Sequence, residues 1–145
     1  MDDFVKDLQN QIFEEARADF GDIAFERWLN PQHNGVLDSP DGHGRVTGSC
    51  GDTMQIFLRF ESGKVKEATF LTDGCWASAV CGSFASELSI GKIPDELVKI
   101  SGETILEILG KFSAENHHCA FLAAETVHEA LNDYMVRTTM NMQKR

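Results

Sequence analysis

A run of alternating apolar and polar residues in the middle of the chain restricts the possible folds most severely. Between Thr53 and Phe60 every second side chain is apolar: Met54, Ile56, Leu58 and Phe60. This period of two is typical of a β-strand with one buried face. The segment "ESGK" then predicts a tight turn, "VKEATFLT" predicts a second strand, and residues 45–49 predict a short strand before both. We therefore expect a small antiparallel sheet with three strands.

Helical periodicity replaces this alternation in the sequence before and after the predicted strands. Apolar spacing predicts helices over four segments: residues 2–20, 77–90, 101–110 and 118–136. The first is an amphipathic helix with a solvated acidic face, and its apolar residues are Phe4, Val5, Leu8, Ile12, Phe13, Ala16 and Phe20. Residues 30–44 predict irregular chain and residues 137–145 a frayed tail. Helices packed on one antiparallel sheet indicate a single α+β domain spanning residues 1–145.

The charge balance of the chain excludes several classes of partner. Its 145 residues include 13 basic and 23 acidic side chains, a net charge of −10. Nucleic acid and anionic membranes both need a basic surface, so we expect neither as a partner. The sequence shows no signal-peptide core and no apolar run that could span a membrane, so the cytoplasm is the expected location. Thiols stay reduced there, which favours ligands, reactive groups or buried residues over disulfides.

Three of the four cysteines fall at the boundaries of predicted elements. Cys50 precedes a strand, Cys75 lies between a strand and a helix, and Cys119 begins the last helix. Such positions suit metal ligands, since a helix N-terminus favours the thiolate that binds a metal. Asp52, two residues beyond Cys50, would add an oxygen ligand, and His118 would add an imidazole. Three thiolates with either group suit Zn²⁺ or an iron–sulfur cluster, and spacing alone does not separate these alternatives.

The fourth cysteine, Cys81, has the spacing of a core residue. It lies six residues after Cys75, which puts the two side chains on different faces of a helix. Burial beside Phe84 and Leu88 is the main expectation. A role as a spare thiol or an additional ligand is the second interpretation.

Four short motifs in a fixed order resemble one known family. They are "NPQHNG" at residues 30–35, "CGD" at 50–52, "TDGC" at 72–75 and "HCAFLAAE" at 118–125. Together they cover almost the whole chain and resemble the U-type iron–sulfur cluster assembly scaffolds, IscU and the N-terminal domain of NifU. The resemblance implies an α+β scaffold, not an enzyme, on which a [2Fe–2S] cluster is built. It implies binding of iron, sulfur delivered as persulfide by a cysteine desulfurase, and transfer to apo-protein recipients.

The resemblance also implies which residues form the site. The family's three cluster cysteines fall on Cys50, Cys75 and Cys119, its aspartate on Asp52 and its histidine on His118, and Zn²⁺ can occupy the same residues. We expect Cys119 to accept the persulfide first, because the adjacent histidine can assist proton transfer. A weak fourth ligand is expected in a cluster that can leave. A homodimer that shares the cluster would let another thiol replace that ligand.

Several features depart from the family pattern. The chaperone-recognised segment "LPPVK" is replaced by "FSAENH" at Phe112–His117, so the sequence does not support that chaperone partnership. Trp76 stands where a small residue is usual, either as a lid over the site or as a partial core residue. Cys81 is an additional thiol. The further domains of NifU have no room in 145 residues, which indicates the stand-alone form.

A second interpretation belongs to another functional class. A zinc-dependent sulfurtransferase similar to SufU would hold Zn²⁺ on the thiolates, take sulfur from the desulfurase and stimulate that enzyme. SufU relatives carry an insertion between the second and third cysteines, and the 44-residue interval from Cys75 to Cys119 looks too short for it. A zinc hydrolase is disfavoured because the sequence has no HExxH-type helix.

Overall fold

The computed structural model describes residues 2–143 and has the α+β architecture that the sequence indicates. In chain order the elements are α1 (Asp2–Phe20), α2 (Asp22–Leu29), β1 (Gly42–Thr47), β2 (Thr53–Glu61), β3 (Lys64–Thr72), α3 (Trp76–Ser89), α4 (Pro94–Leu97), α5 (Gly102–Leu109), a 3₁₀ turn (Ala114–Asn116) and α6 (His117–Gln143). Across this part of the chain, no helix is both long and apolar enough to cross a membrane.

The three strands form one antiparallel sheet in the order β1–β2–β3. Ser62 and Gly63 connect β2 to β3, and their φ angles of 54° and 79° are both positive. Positive φ at both central residues is the backbone of a tight hairpin turn. The predicted sheet is therefore confirmed, although β1 begins at Gly42 and not at residue 45.

The strand β1 begins early because α6 covers its glycines. A Cβ atom at Gly42 would lie 2.4 Å from the carbonyl oxygen of Ala130, and one at Gly44 would lie 2.4 Å from that of Thr126. Glycine therefore permits an approach between strand and helix that any side chain would block. Because glycine has a low strand propensity, the sequence favours irregular chain here.

The hydrophobic core lies between the sheet and the helices α3, α5 and α6. Its largest fully buried side chains include Met54, Ile56, Leu58, Phe70, Val80, Ile105 and Val127. Helix α3 lies directly on β3, since a Cβ atom at Gly82 would be only 2.7 Å from the ring of Phe70. The apolar positions that predict β2 are thus the positions that the helices bury. This packing holds the first turns of α3 and α6 close together.

Two helices, α2 and α4, are not predicted by the sequence. Both are short, so the helical period is not repeated often enough to be recognised. The helix α5, in contrast, carries the predicted signals at both ends. The hydroxyl of Ser101 accepts a hydrogen bond from the backbone N–H of Thr104 at 3.2 Å, and Gly110 follows the last residue with a φ of 67°.

Helix α6 continues to Gln143, so the predicted frayed tail is wrong for residues 137–143. Arg137 Nη2 lies 2.6 Å from Asp133 Oδ2, and an ion pair one turn apart stabilises a helix. The side chains of residues 135–143 are exposed. This part of the helix therefore has no buried apolar face, and the sequence shows no clear helical period there. Residues 144 and 145 of the predicted tail lie outside the described residues.

Helix α1 has the predicted bounds, but its apolar face is not buried. Four of its apolar side chains are 49–71% exposed: Phe4, Val5, Leu8 and Ile12. Phe13 packs edge-on against Phe25 of α2, with ring centroids 5.9 Å apart. The side chains of Ala16 and Phe20 lie outside the described residues. A helical period shows that one face is apolar, but it does not show what covers that face.

Candidate metal centre

Three segments of the chain meet at one end of the sheet. Residues 48–52 join β1 to β2, residues 73–75 lead from β3 into α3, and α6 begins at His117. The first two segments are neighbours because β2 begins where its antiparallel partner β3 ends. A hydrogen bond of 2.8 Å from the backbone N–H of Thr53 to Asp73 Oδ1 ties them together.

Asp52, Cys75 and Cys119 bring their side chains together at this junction. One carboxylate oxygen and two sulfur atoms all lie within 4.8 Å of one another. Ligand atoms around a tetrahedral Zn²⁺ are about 3.6–3.8 Å apart when the metal–ligand bonds are about 2.1–2.3 Å. Small side-chain movements would therefore enclose one ion. Two sulfur atoms and one oxygen atom are donors that suit zinc or iron.

A buried serine contacts two of these three side chains. Ser78 Oγ donates a hydrogen bond to Asp52 Oδ2 at 2.9 Å, and the same hydroxyl lies 3.4 Å from Cys119 Sγ. Ser78 is fully buried. The sequence interpretation does not include it, although a signal was present, because a polar residue three positions after Cys75 shares that residue's side of a helix.

Gly74 leaves the space that the Asp52 carboxylate occupies. A Cβ atom at Gly74 would lie 2.6 Å from Asp52 Oδ2 and 2.9 Å from Ser78 Oγ. Both separations are too short for a methyl group, so any larger residue at this position would displace the two side chains. The glycine of the "TDGC" motif is therefore required for the space that it leaves beside Asp52 and Ser78.

Burial controls the protonation of two thiols. Loss of hydration raises the pKa of the Cys119 thiol to about 11, although the nearby Ser78 hydroxyl acts in the opposite direction. Burial also raises the pKa of Cys81 well above its ordinary value, with smaller contributions from Cys119 and Cys75. Both thiols are therefore protonated at neutral pH, and a metal that binds Cys119 must displace its proton.

Cys81 lies in the hydrophobic core, as its helical spacing predicts. It is fully buried in the same cluster as Val80, Phe84 and Ala85. Among the described residues, its sulfur does not join the group formed by Asp52, Cys75 and Cys119. The packing role is therefore visible in the structure, and a role as an additional ligand stays a prediction.

Cys50 and His118 lie on the outer side of this group, and both are exposed. They line a cavity of about 310 Å³ together with Gly48, Ser49, Phe121, Leu122 and Glu125. His118 Nε2 is 3.6 Å from Cys119 Sγ, whereas Cys50 lies in a turn in which Gly51 has a φ of 92°. The structure thus brings three of the five predicted ligands within 4.8 Å of one another and leaves Cys50 and His118 beside them.

The segment that replaces the chaperone motif packs against the residue that follows Cys75. Trp76 meets the ring of Phe112 edge-on, with centroids 5.7 Å apart, and is half-buried against the core. Phe112 in turn stacks parallel to His117 at 6.4 Å. His117 Nε2 lies 3.1 Å from the Phe112 carbonyl oxygen. Two departures from the family pattern, Trp76 and the 112–117 segment, therefore contact each other.

The family model of the NifU-like N-terminal domain matches residues 19–141. An iron–sulfur cluster assembly scaffold protein, IscU 1 of Archaeoglobus fulgidus, is 33% identical over 116 residues, which cover 79% of this chain and 76% of that protein. A Drosophila melanogaster protein named iron–sulfur cluster assembly enzyme IscU is 35% identical over 117 residues, which cover 77% of this chain and 75% of that protein.

Solved structures share the fold. The N-terminal part of a nitrogen-fixing NifU-like protein from Brucella abortus has a TM-score of 0.66 at 16% identity, covering 79% of this chain and 93% of that one. A candidate scaffold of the SUF system from Fervidobacterium islandicum AW-1 has a TM-score of 0.61 at 20% identity, covering 80% of this chain and 98% of that one. At these identities the likeness concerns the fold alone.

Proposed function

Because the chain belongs to the family of the NifU-like N-terminal domain, we propose that it is a scaffold on which a [2Fe–2S] cluster is assembled and from which the cluster is transferred. Relatives in A. fulgidus and D. melanogaster are named for iron–sulfur cluster assembly. The observation that carries the proposal is the meeting of Asp52, Cys75 and Cys119 within 4.8 Å. In this proposal the protein is a carrier and not an enzyme, and the cluster is its cargo.

The proposed ligands are Cys50, Cys75 and Cys119, with Asp52 in the fourth position. Thiolates bind iron strongly, whereas a single carboxylate oxygen is a weaker ligand, and this combination suits a cluster that must later leave. The position of the Asp52 carboxylate beside two sulfur atoms favours it over His118, which is exposed on the outer side. Cys50 reaches the cluster from its exposed turn.

We propose Cys119 as the acceptor of sulfur from a cysteine desulfurase. Its thiolate attacks the terminal sulfur of the donor persulfide, that S–S bond breaks, a new S–S bond forms on Cys119, and the donor cysteine leaves as a thiolate. The distance of 3.6 Å between Cys119 Sγ and His118 Nε2 supports His118 as the acceptor of the thiol proton. Because Cys119 is buried, the covering residues must move when the desulfurase docks.

Access to the site supports exchange with two kinds of partner. Cys50 and Cys75 are both exposed, so a thiol of an apo-protein recipient can approach the cluster from this side and replace them one at a time. The same side is open to the desulfurase. We therefore propose that sulfur delivery and cluster transfer occur in succession at one surface.

A zinc-dependent sulfurtransferase is the second candidate function. The three close ligand atoms leave room for one tetrahedral ion with a fourth, exchangeable position, which suits Zn²⁺ without any movement of Cys50. In this role a ligand thiolate takes sulfur from the desulfurase while zinc stays bound. No cluster is then formed on the protein.

Anaerobic reconstitution separates the two candidates. The protein is incubated with ferrous iron, cysteine, a purified cysteine desulfurase and dithiothreitol, which reduces the persulfide sulfur to sulfide; the visible absorption is followed, and an apo-ferredoxin is then added. The scaffold proposal expects [2Fe–2S] absorption that moves to the ferredoxin. Stimulated desulfurase turnover with zinc retained and no cluster absorption would favour the sulfurtransferase. Persulfide mapping by mass spectrometry after a short incubation without iron is expected to find the added sulfur on Cys119.

A further inference from the structure

Helix α3 carries four fully buried serines, and their hydrogen bonds differ: Ser78, Ser83, Ser86 and Ser89. Ser83 donates to the carbonyl oxygen of Gln32 at 2.7 Å, and Ser89 donates to the carbonyl oxygen of Ala85 within the helix at 2.8 Å. The Ser86 hydroxyl has no hydrogen-bond partner among the described residues. Ser78 alone among the four directs its hydroxyl to side chains of the candidate metal centre.

The partners of Ser78 are two proposed ligands on different segments. Its Oγ lies 2.9 Å from Asp52 Oδ2 and 3.4 Å from Cys119 Sγ. A serine inside a helix commonly donates to the carbonyl oxygen one turn earlier, as Ser89 does. Ser78 lies in the first turn of α3, and its hydroxyl bonds across the site. A hydroxyl has one proton, and the shorter contact gives that proton to the carboxylate. Oδ2 of Asp52 accepts this hydrogen bond, and Oδ1 of the same carboxylate receives none from Ser78.

The contact with Ser78 also explains how the Asp52 carboxylate is held beside the two sulfur atoms. The carboxylate of Asp52 comes from an exposed turn, yet one of its oxygen atoms lies within 4.8 Å of two sulfur atoms. Gly74 removes the side chain that would occupy its place, since a Cβ atom there would lie 2.6 Å from Oδ2. The space beside Gly74 permits the carboxylate to take this position but does not hold it there. A charge-assisted hydrogen bond from Ser78, which is fixed on α3, does hold it there.

We propose that Ser78 is a positioning residue that holds the Asp52 carboxylate ready as the oxygen ligand of the metal centre. The inference rests on the proposed function only in requiring that a metal ion binds at Asp52, Cys75 and Cys119. Ser78 is not itself a proposed ligand or sulfur acceptor, and in this proposal it acts through Asp52. Outer partners that orient a metal ligand typically contribute about 10–100-fold to metal affinity.

The test uses Co²⁺ added to the purified, metal-free protein without oxygen, with the charge-transfer band from thiolate to cobalt as the readout. Ser78→Ala removes one buried oxygen atom and replaces it with the best helix former, so folding is retained and is checked by circular dichroism. We expect Ser78→Ala to weaken Co²⁺ binding about 10–100-fold. The matched control is Ser86→Ala, which removes an equally buried hydroxyl from the same helix and is expected to bind Co²⁺ as the wild type does.

A double-mutant cycle shows whether Ser78 acts through Asp52. If it does, Ser78→Ala causes no further loss of affinity in an Asp52→Ala background. The proposal is overturned if Ser78→Ala binds Co²⁺ like the wild type, or if it weakens binding equally with and without Asp52. A wild-type protein that shows no thiolate band with Co²⁺ would overturn the metal centre itself. Binding of Co²⁺ without any [2Fe–2S] assembly would instead contradict only the proposed function.

Discussion

The candidate metal centre has a buried side and an exposed side, and the two are built differently. Ser78 and Cys119 form the buried side, fixed by the packing of α3 against α6. Cys50, Cys75 and His118 form the exposed side, which lies on a turn and at two helix starts. The buried side is therefore set by the fold before any metal arrives, whereas the exposed side can exchange ligands. Such a division suits a protein that must first hold its cargo and then release it.

Replacement of the ligand on the buried side should have the largest effect. Cys119→Ser removes a sulfur ligand itself and not an outer residue that orients one, so Co²⁺ affinity should fall by more than the ~100-fold limit for outer residues. The measurement is an anaerobic Co²⁺ titration. Cys81→Ala is the control, because it removes another buried thiol from the core and should leave the cobalt spectrum unchanged. An equal loss in both variants with lowered stability would show that unfolding is responsible, and an equal loss at unchanged stability would make Cys81 a ligand as well.

Gly74→Ala should have the next largest effect because it disturbs the boundary between the two sides. The added Cβ atom would meet Asp52 Oδ2 at 2.6 Å, so the carboxylate is displaced and Co²⁺ affinity should fall about tenfold or more. Gly48→Ala is the matched control. A Cβ atom there would meet its nearest neighbour at 3.5 Å, which is an ordinary contact, and it should bind Co²⁺ much more tightly than Gly74→Ala.

Cys50→Ser tests the exposed side. Because Cys50 lies outside the group of three close ligand atoms, its loss should weaken the binding of a single Co²⁺ ion less than Gly74→Ala does. Cluster assembly needs one more strong ligand, so the same variant should lose most of its iron and sulfide after reconstitution. Equal loss of cobalt and cluster binding would show that Cys50 already binds the metal together with Asp52, Cys75 and Cys119.

The smallest expected effect is a loss of stability of the metal-free protein at alkaline pH, caused by the buried Cys119 thiol. The Cys119 pKa of about 11 in the folded protein lies above that of a thiol in an unfolded chain, about 8.5. The unfolded state therefore loses its proton first, so this contribution to stability is complete below about pH 8.5 and is lost as the pH rises through about 11. Urea unfolding of the metal-free protein between pH 8 and 11 measures it. Cys119→Ala should reduce this decline, and an unchanged slope would contradict the assignment.

The sequence predicts the sheet and the helices packed on it better than it predicts which surfaces of the elements are buried. Alternation in β2 and helical spacing in α3 and α6 reflect burial against each other, so these elements appear in the pattern. The pattern in α1 is equally clear, yet Phe4 and Leu8 are exposed, because periodicity does not specify a partner surface. The early start of β1 depends on contacts with α6, which are distant in sequence.

The candidate centre shows the same limit. Residue type and element boundaries indicate Cys75, Cys119 and Asp52, and the structure brings them together. The orientation of a turn cannot be read from its sequence, and this is why the separation of Cys50 from the group is not foreseen. Ser78 is missed because a buried serine in a helix usually satisfies its hydroxyl locally, as Ser89 does.

The most direct test of the central claim is the content of iron, zinc and acid-labile sulfide per chain in protein purified without oxygen and then reconstituted, together with its visible absorption. The scaffold account predicts iron and sulfide in equal amounts with [2Fe–2S] absorption, the same values in Cys81→Ala, and loss of both in Cys119→Ser. Zinc that stays bound at one ion per chain, with no sulfide after iron and a desulfurase have been supplied, would contradict it.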